Sequence, residues 1–478
     1  MIPPAAETLA PAVPPEPVKA PAAAGGGMSL ARLRHGGLLF GASQMLAMVL
    51  GFAGTMVLTR AADTAAVASY LLLVQSTITV GLVLQLGLAQ ATLRFVPVSR
   101  GEGGRAATSL LRRRLLGLQV GMWLLAAPIL FLVWPGVAWR LDAPELSYAT
   151  AFLIGIPVLA SLGQLMDSYL RAFRMYSVSA PLTQVLPRVL VLAGFLTLWL
   201  AMPGSATWEM LASVYTLSLV LTLLGYAAAM RATTPAEESE PRTAQTPPGV
   251  RTILATTTAM GLRSAASVLF VSSDLWILSW ARPHEEVAIY GVASRLIQVM
   301  AALPGIASFL LPQEFAVLYA DGRKEEMERL ARQASTAMAM ISVAAFIGLL
   351  LLGKPLLGVA FDEVYARGWT VVLILAVGTF WDTASGASGF ALQMTGHHVR
   401  LLVLTAGAAI LNVILSVLLV PLWGGHGIAL STAVTLIALN TSMVWSARKL
   451  VGVRTFIYLR PAEWKQVIQK LIRREREV

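Results

Sequence analysis

Long apolar stretches separated by short polar loops run through most of this sequence. Because a hydrocarbon core about 30 Å thick needs roughly 20 apolar residues per helical crossing, each stretch is long enough to span a membrane. Backbone N–H and C=O groups find no water in lipid, so each stretch is predicted to be a helix. The twelve predicted segments are Gly36–Leu58, Ser69–Leu93, Leu115–Trp134, Ser147–Leu170, Ser179–Ala201, Thr207–Met230, Thr252–Ala281, Val287–Leu311, Ala334–Leu352, Trp369–Met394, Leu401–Val420 and Gly427–Ala447.

A polar, Pro-rich segment at residues 231–251 is the one long interruption between these helices and is predicted to be a cytoplasmic linker. It separates an N-terminal lobe (36–230) from a C-terminal lobe (252–450), each with six predicted helices. An even number of crossings gives both lobes the same orientation, so any repeat between them is parallel. Similar sequences around Tyr70 and Tyr290 support such a pseudo-repeat. The predicted fold class is an all-α polytopic membrane protein with about 12 transmembrane helices in two six-helix lobes.

The two ends of the chain differ in character from the apolar segments. Residues 1–35 begin with a Pro- and Ala-rich stretch that has no apolar signal region, and they are predicted to be a disordered cytoplasmic tail. Residues 451–478 contain Trp464, Val467, Ile468 and Leu471 at helical spacing beside basic residues. This pattern predicts a basic amphipathic helix on the cytoplasmic membrane surface. A frayed, solvated tail is the alternative.

Composition and charge agree with a membrane location. Of the 478 residues, 56% are hydrophobic and 13% charged, whereas soluble domains carry about 25% charged residues. The net charge of +11 does not indicate nucleic acid, because 28 of the 36 Lys and Arg residues fall on one side of the predicted helices. Loops rich in Lys and Arg stay in the cytoplasm. The chain is therefore predicted to be a multi-pass membrane protein with both termini cytoplasmic.

No motif carries enzymatic chemistry. Residues 348–355 approach a phosphate-binding loop, but Pro355 replaces the Ser or Thr that would hold magnesium. His397 and His398 have no acid or Cys at metal-ligand spacing, and the absence of cysteine excludes thiolate sites. We therefore predict neither a metal nor a cofactor, and no enzyme.

Five ionisable residues at membrane depth carry the functional interpretation, since each costs at least about 2.5 to 3.5 kcal/mol if it faces lipid. Arg263 and Asp274 share one helix face, and Arg188 follows a proline that should kink its helix. Asp274 is predicted either to pair with Arg295 or, with Asp382, to couple ions. No acid is evident at the depth of Arg188 and Arg263, so both are predicted to face a cavity. Nearer the cytoplasm, Asp167 and Arg171 are spaced as an i, i+4 ion pair.

The order of several motifs resembles the polysaccharide flippase family, oligosaccharide exporters related to the multidrug and toxic compound extrusion transporters. Residues 273–333 contain an Asp-bearing helix, a short outer loop, a Tyr-Gly pair, a Pro-ended helix and a charged helix in the family's order. Residues 391–435 show its Gly-containing loop, Asn-bearing helix and Gly-Gly-x-Gly-x-Ala entry to the next helix. Residues 58–73 and 86–98 form a third stretch. The resemblance covers nearly all of residues 36–450.

This resemblance implies a central cavity between the lobes and alternating access. The implied substrate is a polyprenyl-diphosphate-linked oligosaccharide for O-antigen, exopolysaccharide or capsule synthesis, bound in contact with membrane lipids. Cavity arginines hold the diphosphate in this family, which assigns that role to Arg188 and Arg263, with Arg94 at the cytoplasmic mouth. The glycan polymerase and glycosyltransferases of the pathway are expected as further partners. The strongly cationic cavity of the lipid II flippases is not matched, and they have fourteen helices, so lipid II is not the expected substrate.

Three other functions remain open. A drug or metabolite antiporter of the same superfamily would use Asp274 or Asp382 to exchange protons for an organic cation. A membrane glycan polymerase or ligase would need a large outer loop, whereas the longest predicted here is about fifteen residues. A structural scaffold for a glycan-assembly complex has no distinguishing sequence signal.

Overall fold

The computed structural model of the chain describes residues 30–85, 87–140, 150–173, 175–232 and 249–458, together with Trp464; in parts of some helices only the backbone is described. Most of the predicted tails and of the 231–251 linker lies outside these residues. Secondary structure in the described part is helical throughout. The helices are α1 Leu30–Ala61, α2 Thr64–Gln85, α3 Leu88–Arg140, α4 Thr150–Ala172, α5 Tyr176–Ala180, α6 Leu186–Ala201, α7 Trp208–Ala232, α8 Val250–Ala281, α9 His284–Ala320, α10 Lys324–Phe361, α11 Trp369–Ser385, α12 Ser388–Met394 and α13 His398–Ser446, with π-helices at Pro181–Val185 and Ala447–Val451 and a 3-10 helix at Glu363–Gly368.

Seven described stretches are long and apolar enough to cross a membrane. One of them, His398–Val451, has 54 residues, which as a straight helix would extend about 80 Å. It reverses instead at Gly424, whose backbone is not helical (φ 54°, ψ −132°). The all-α membrane fold is confirmed, whereas the count of twelve crossings stays a prediction.

Helix α3 also contains a reversal. Thr92 and Arg112 line the same small pocket together with Leu115 and Tyr169. A straight helix would hold positions 92 and 112 about 30 Å apart. The chain therefore turns back within α3, between the second and third apolar segments predicted from the sequence.

The two halves, residues 30–232 and 249–458, pack together most extensively at one end of the bundle. We call it the tight-turn end, because short connections at residues 62–63, 202–207 and 282–283 and the break at Gly424 lie there. A single apolar core at this end contains Leu58 and Leu72 of the first half and Val287 and Phe361 of the second. At the opposite linker end, near residues 321–323 and 395–397, the described cores are separate. One of these cores contains residues of the second half only. The other contains residues of the first half together with Ile253 of α8.

Several close contacts cross between the halves. Gly291 of α9 approaches α2 so closely that an added Cβ would lie 2.5 Å from Leu71 Cδ1. On α2, Gln75 Nε2 donates a hydrogen bond to Ser272 Oγ of α8 at 2.5 Å. Phe52 and Phe361 form an edge-to-face ring pair with centroids 5.1 Å apart. These contacts close the boundary between the halves toward the tight-turn end.

An extended segment after α13 docks onto the linker end of the second half. Gly452 ends the π-helix in a left-handed conformation, and Val453 and Thr455 are fully buried. The Thr455 carbonyl accepts a hydrogen bond from Ser335 Oγ at 2.8 Å. Gly386, where α11 ends with φ 69°, lies directly against these atoms, leaving no room there for a Cβ. The segment Trp369–Met394 was predicted as one helix, and this glycine divides it into two.

We expect Gly386→Ala to destabilise the protein more than Gly396→Ala does. Both glycines have positive φ, a conformation that costs other residues about 1–2 kcal/mol, but only Gly386 lacks space for a Cβ. The overpacking should add about 1–3 kcal/mol. Thermal unfolding of the two variants in detergent would measure the difference. Equal shifts in unfolding temperature would contradict the observed packing.

Candidate functional site

Two arginines from opposite halves interact electrostatically across the boundary between them. Arg188 lies on α6 of the first half, and Arg295 lies on α9 of the second. Tyr70 of α2 and Tyr215 of α7 belong to the same cluster, with their rings 6.1 Å apart and perpendicular. Arg295 is surrounded by protein and yet partly accessible to solvent, as expected of a residue that lines an internal cavity.

Neither arginine forms an ion pair within the described residues. Arg188 Nη1 donates to the carbonyl of Gln184 at 2.6 Å, and Arg295 Nη1 donates to Gln298 Oε1 at 3.2 Å. The Arg188 side chain also lies beside Gly51 of α1, where an added Cβ would be 3.8 Å from its Nε. Both guanidinium groups therefore keep donors for a ligand, and their mutual repulsion favours an anionic one.

Asp274 is fully enclosed in the second half by neutral hydrogen-bond donors. Tyr290 Oη donates to its Oδ2 at 2.7 Å, and Thr432 Oγ1 donates to the same oxygen at 2.8 Å. Asn412 Nδ2 donates to Oδ1 at 3.0 Å. The cluster joins α8, α9 and both limbs of α13.

The predicted pairing of Asp274 with Arg295 is wrong. Helices α8 and α9 meet at residues 282–283, and Tyr290 lies within one residue of the depth of Asp274 on the other side of this turn. Arg295 is more than one further turn along α9, about 7 Å deeper. The hydroxyl of Tyr290 therefore occupies the position that sequence reasoning assigned to a cation, and Arg295 faces the boundary between the halves.

Two other carboxylates have different surroundings. The predicted pair of Asp167 with Arg171 is confirmed, so the buried Asp167 has a cation beside it. Asp382 lies near the end of α11 beside Asn440, where it is surrounded by protein and still accessible to solvent. It belongs to a different polar cluster from Asp274. Of these three acids, Asp274 is the one that is buried from solvent and contacts no cation among the described residues.

The side chains of Arg94 and Arg263 lie outside the described residues, although their backbones belong to α3 and α8. Their assignment to substrate binding stays a prediction. Sequence reasoning missed Tyr70, Tyr215 and Thr432, because each is an ordinary residue on an apolar helix. Counting equal distances from the turn at residues 282–283 leads to Gly291, next to Tyr290.

Comparison with solved structures gives the class of protein that this fold defines. A multidrug resistance MATE family transporter of the MOP superfamily, in an inward-facing conformation, shares 18% identity over 89% of this chain and 96% of its own, with a TM-score of 0.66. The lipid II flippase MurJ, in an inward closed conformation, shares 11% over 91% of both chains, with a TM-score of 0.70. A MOP superfamily transporter from Pyrococcus furiosus shares 17% over 88% of this chain and 96% of its own, with a TM-score of 0.62. The fold is that of MOP superfamily transporters.

Sequence comparison gives the family. The model of the polysaccharide biosynthesis protein family matches residues 33–311, which is more than half of the chain. The chain belongs to that family. No curated protein sequence matches it significantly. The fold neighbours are described as transporters or, for MurJ, as a flippase.

Single cysteines at positions 188 and 295 should react readily with a small, water-soluble thiol reagent, because both positions are partly accessible. The chain has no native cysteine, so there is no background reaction. Ser416→Cys, at a fully buried position, serves as the matched control and should react slowly. Reaction rates measured by mass spectrometry would test this. Rates at 188 and 295 as slow as that at 416 would contradict a water-accessible cavity.

Proposed function

We propose that this protein is a flippase that moves a polyprenyl-diphosphate-linked oligosaccharide across the bacterial inner membrane by alternating access. The repeat unit would supply O-antigen, exopolysaccharide or capsule synthesis, and both termini would be cytoplasmic. The observation that carries the proposal is the presence of Arg188 and Arg295, from opposite halves, in one cluster without an acidic partner among the described residues. The polysaccharide biosynthesis family of the chain supports it.

The chemistry of the cluster suits a diphosphate. A guanidinium group stays charged and donates paired hydrogen bonds to phosphate oxygens. A dianionic group between Arg188 and Arg295 would replace their repulsion with two attractions. The ring and hydroxyl of the half-buried Tyr215, beside the arginines, can contact the first sugar. The polyprenyl chain would stay in the bilayer.

The packing of the halves suits one state of an alternating-access cycle. The shared core at the tight-turn end closes that end, whereas the described cores at the linker end are separate. Substrate would therefore enter from the linker end, where the basic loops place the cytoplasm. Rotation of the halves would then open the tight-turn end.

We propose further that Asp274 binds the coupling ion. An enclosed carboxylate with no cation beside it has a strong tendency to take up a proton or a monovalent cation. The hydroxyl oxygens of Thr432 and Tyr290 lie beside the carboxylate and offer further oxygen ligands. Ion uptake here would change the packing of α8 against α13.

The alternative is a drug or metabolite antiporter, which the MATE fold neighbour and the acids Asp274 and Asp382 keep under consideration. An organic cation entering the cavity would meet Arg188 and Arg295, whose charge repels it. A drug panel applied to a deletion strain, with its surface glycan measured in parallel, separates the two functions.

Arg188→Ala and Arg295→Ala should each reduce glycan export about 10- to 100-fold, the equivalent of one charge-assisted hydrogen bond worth about 1.5–3 kcal/mol. Export is measured as surface glycan in a deletion strain complemented with each variant. Arg367→Ala is the control, because Arg367 is exposed and pairs with Glu285 at the surface. Normal export by both cavity variants at normal membrane levels would contradict the proposal.

Asp274→Asn should keep the protein folded and remove the dependence of transport on an ion gradient. Asparagine retains one oxygen acceptor and removes a buried charge, so thermal stability should not fall by more than about 1 kcal/mol. Transport in proteoliposomes, with and without imposed proton or sodium gradients, is the measurement. Gradient-dependent transport by the Asn variant would exclude Asp274 as the coupling site.

A further inference from the structure

One turn of the helix that carries Arg188 is wider than an α-helical turn. The π-helix Pro181–Val185 lies between α5 and α6, and the N–H of Leu186 donates to the carbonyl of Pro181, five residues back. Its cause is local. In an α-helix the ring of Pro187 would clash with the carbonyl of Thr183, and the wider turn moves that carbonyl away. Single π turns are frequent at functional sites.

A buried polar cluster holds this turn from outside. Thr183 Oγ1 donates to the carboxylate of Asp167 on α4 and is 2.6 Å from the hydroxyl of Tyr226 on α7. Ser179 Oγ donates to Asp167 Oδ1 at 2.6 Å. Asp167 is itself held by Arg171. Side chains of α4 and α7 therefore meet at the hydroxyl of Thr183, the residue at the centre of the π turn.

The neighbouring surface is shaped to fit the turn. Gly225 of α7 lies against the side chains of Leu182 and Leu186, and an added Cβ would be 3.0 Å from Leu182 Cδ2. Arg188 Nη1 donates to the carbonyl of Gln184, which lies within the π turn. The arginine is thus bonded directly to the irregular segment that precedes it.

The π turn sets the direction of every side chain after it. It contains one residue more than an α-helical turn would, and each residue of an α-helix corresponds to a rotation of about 100°. If Pro181–Val185 became α-helical, α6 would rotate by about that angle relative to α4 and α7. Arg188 would then point away from Arg295.

We propose that Asp167 and Thr183 are positioning residues for Arg188. They fix the π turn, and the π turn directs the guanidinium group toward the boundary between the halves. Pro187 favours the wide turn, and the hydrogen bonds from α4 and α7 select its place along the helix. The consequence for transport rests on the proposed function, whereas the consequence for the direction of Arg188 does not.

The test is the reactivity of a cysteine at position 188 with a small, water-soluble thiol reagent in otherwise full-length protein. Thr183→Val removes the hydroxyl at nearly constant volume and should lower the reaction rate several-fold. Thr222→Val is the matched control, since Thr222 is a buried threonine of α7 whose hydroxyl donates to the carbonyl of Ser218 in its own helix; it should leave the rate unchanged. Thr183→Ser keeps the hydroxyl and should restore the rate. A cysteine at position 295 should react equally in all backgrounds.

An unchanged rate at position 188 in the Thr183→Val background would overturn the proposal, as would an equal fall at positions 188 and 295, which would indicate general loss of structure. Size-exclusion profiles of the variants establish that they are folded. With Arg188 in place, Thr183→Val should also lower glycan export and Thr222→Val should not. If the thiol rates behave as expected while deletion of the whole protein leaves surface glycan intact, the positioning role stands and the proposed function fails.

Discussion

Two positive charges face each other inside an apolar bundle, and much of the structure follows from keeping them hydrated or bound. A charged side chain at membrane depth costs at least about 2.5 to 3.5 kcal/mol when it faces lipid. Arg188 and Arg295 add mutual repulsion to this, and the described residues supply no acid to balance it. Such a site is tolerated only where water or an anion reaches it. The two halves therefore pack tightly at the tight-turn end, where the core is apolar, and leave accessible space around the arginines.

Asp167, Asp274 and Asp382 show that the residues in contact with a carboxylate determine which role it can have. Asp167 has Arg171 beside it, so its charge is balanced and it is available to hold a helix in place. Among the described residues Asp274 contacts three neutral donors and no cation, and neutral donors stabilise a charge without cancelling it. Asp382 lies beside Asn440, surrounded by protein and still accessible to solvent. The same side chain thus serves as an anchor in one half and as a candidate ion site in the other.

The sequence predicted the helices far better than it predicted their contacts. Each of the twelve apolar segments falls mainly on helix in the described residues, because a membrane helix requires apolar length, although Ser69–Leu93 and Trp369–Met394 are each interrupted at a glycine of positive φ. The break at Gly386 was invisible, since hydropathy is continuous across it and only the close approach of Ser335 and Thr455 requires a glycine. The extended segment at 452–458 was assigned to a surface tail, although the alternating buried positions Val453 and Thr455 pack into the second half.

The site was predicted only in part, because a sequence shows charged residues in apolar segments but not which helices are neighbours. Arg188 was found because a charge in an apolar run is conspicuous, and the structure places it in the central cluster. Arg295 was equally conspicuous but was given the wrong partner, since the depth of a residue along its helix depends on where the turn falls. Tyr70 and Tyr215 carry no such signal. Their role depends on which helices become neighbours, and hydrophobic periodicity in a single sequence contains no information on that.

In the proposed flippase, the presence of one arginine on each half would couple substrate binding to the relative position of the halves. A ligand shifts a conformational equilibrium only as far as its binding free energy differs between the two states. Because Arg188 and Arg295 belong to different halves, movement of the halves changes the distance between their charges. Both their mutual repulsion and their affinity for an anion therefore change. An anion that contacts both arginines favours the arrangement in which they are closest, whereas the empty site favours separation. Two arginines on one rigid half would bind the same anion with no such preference, so in the proposed flippase the division of the pair between the halves would let the substrate drive the change of state.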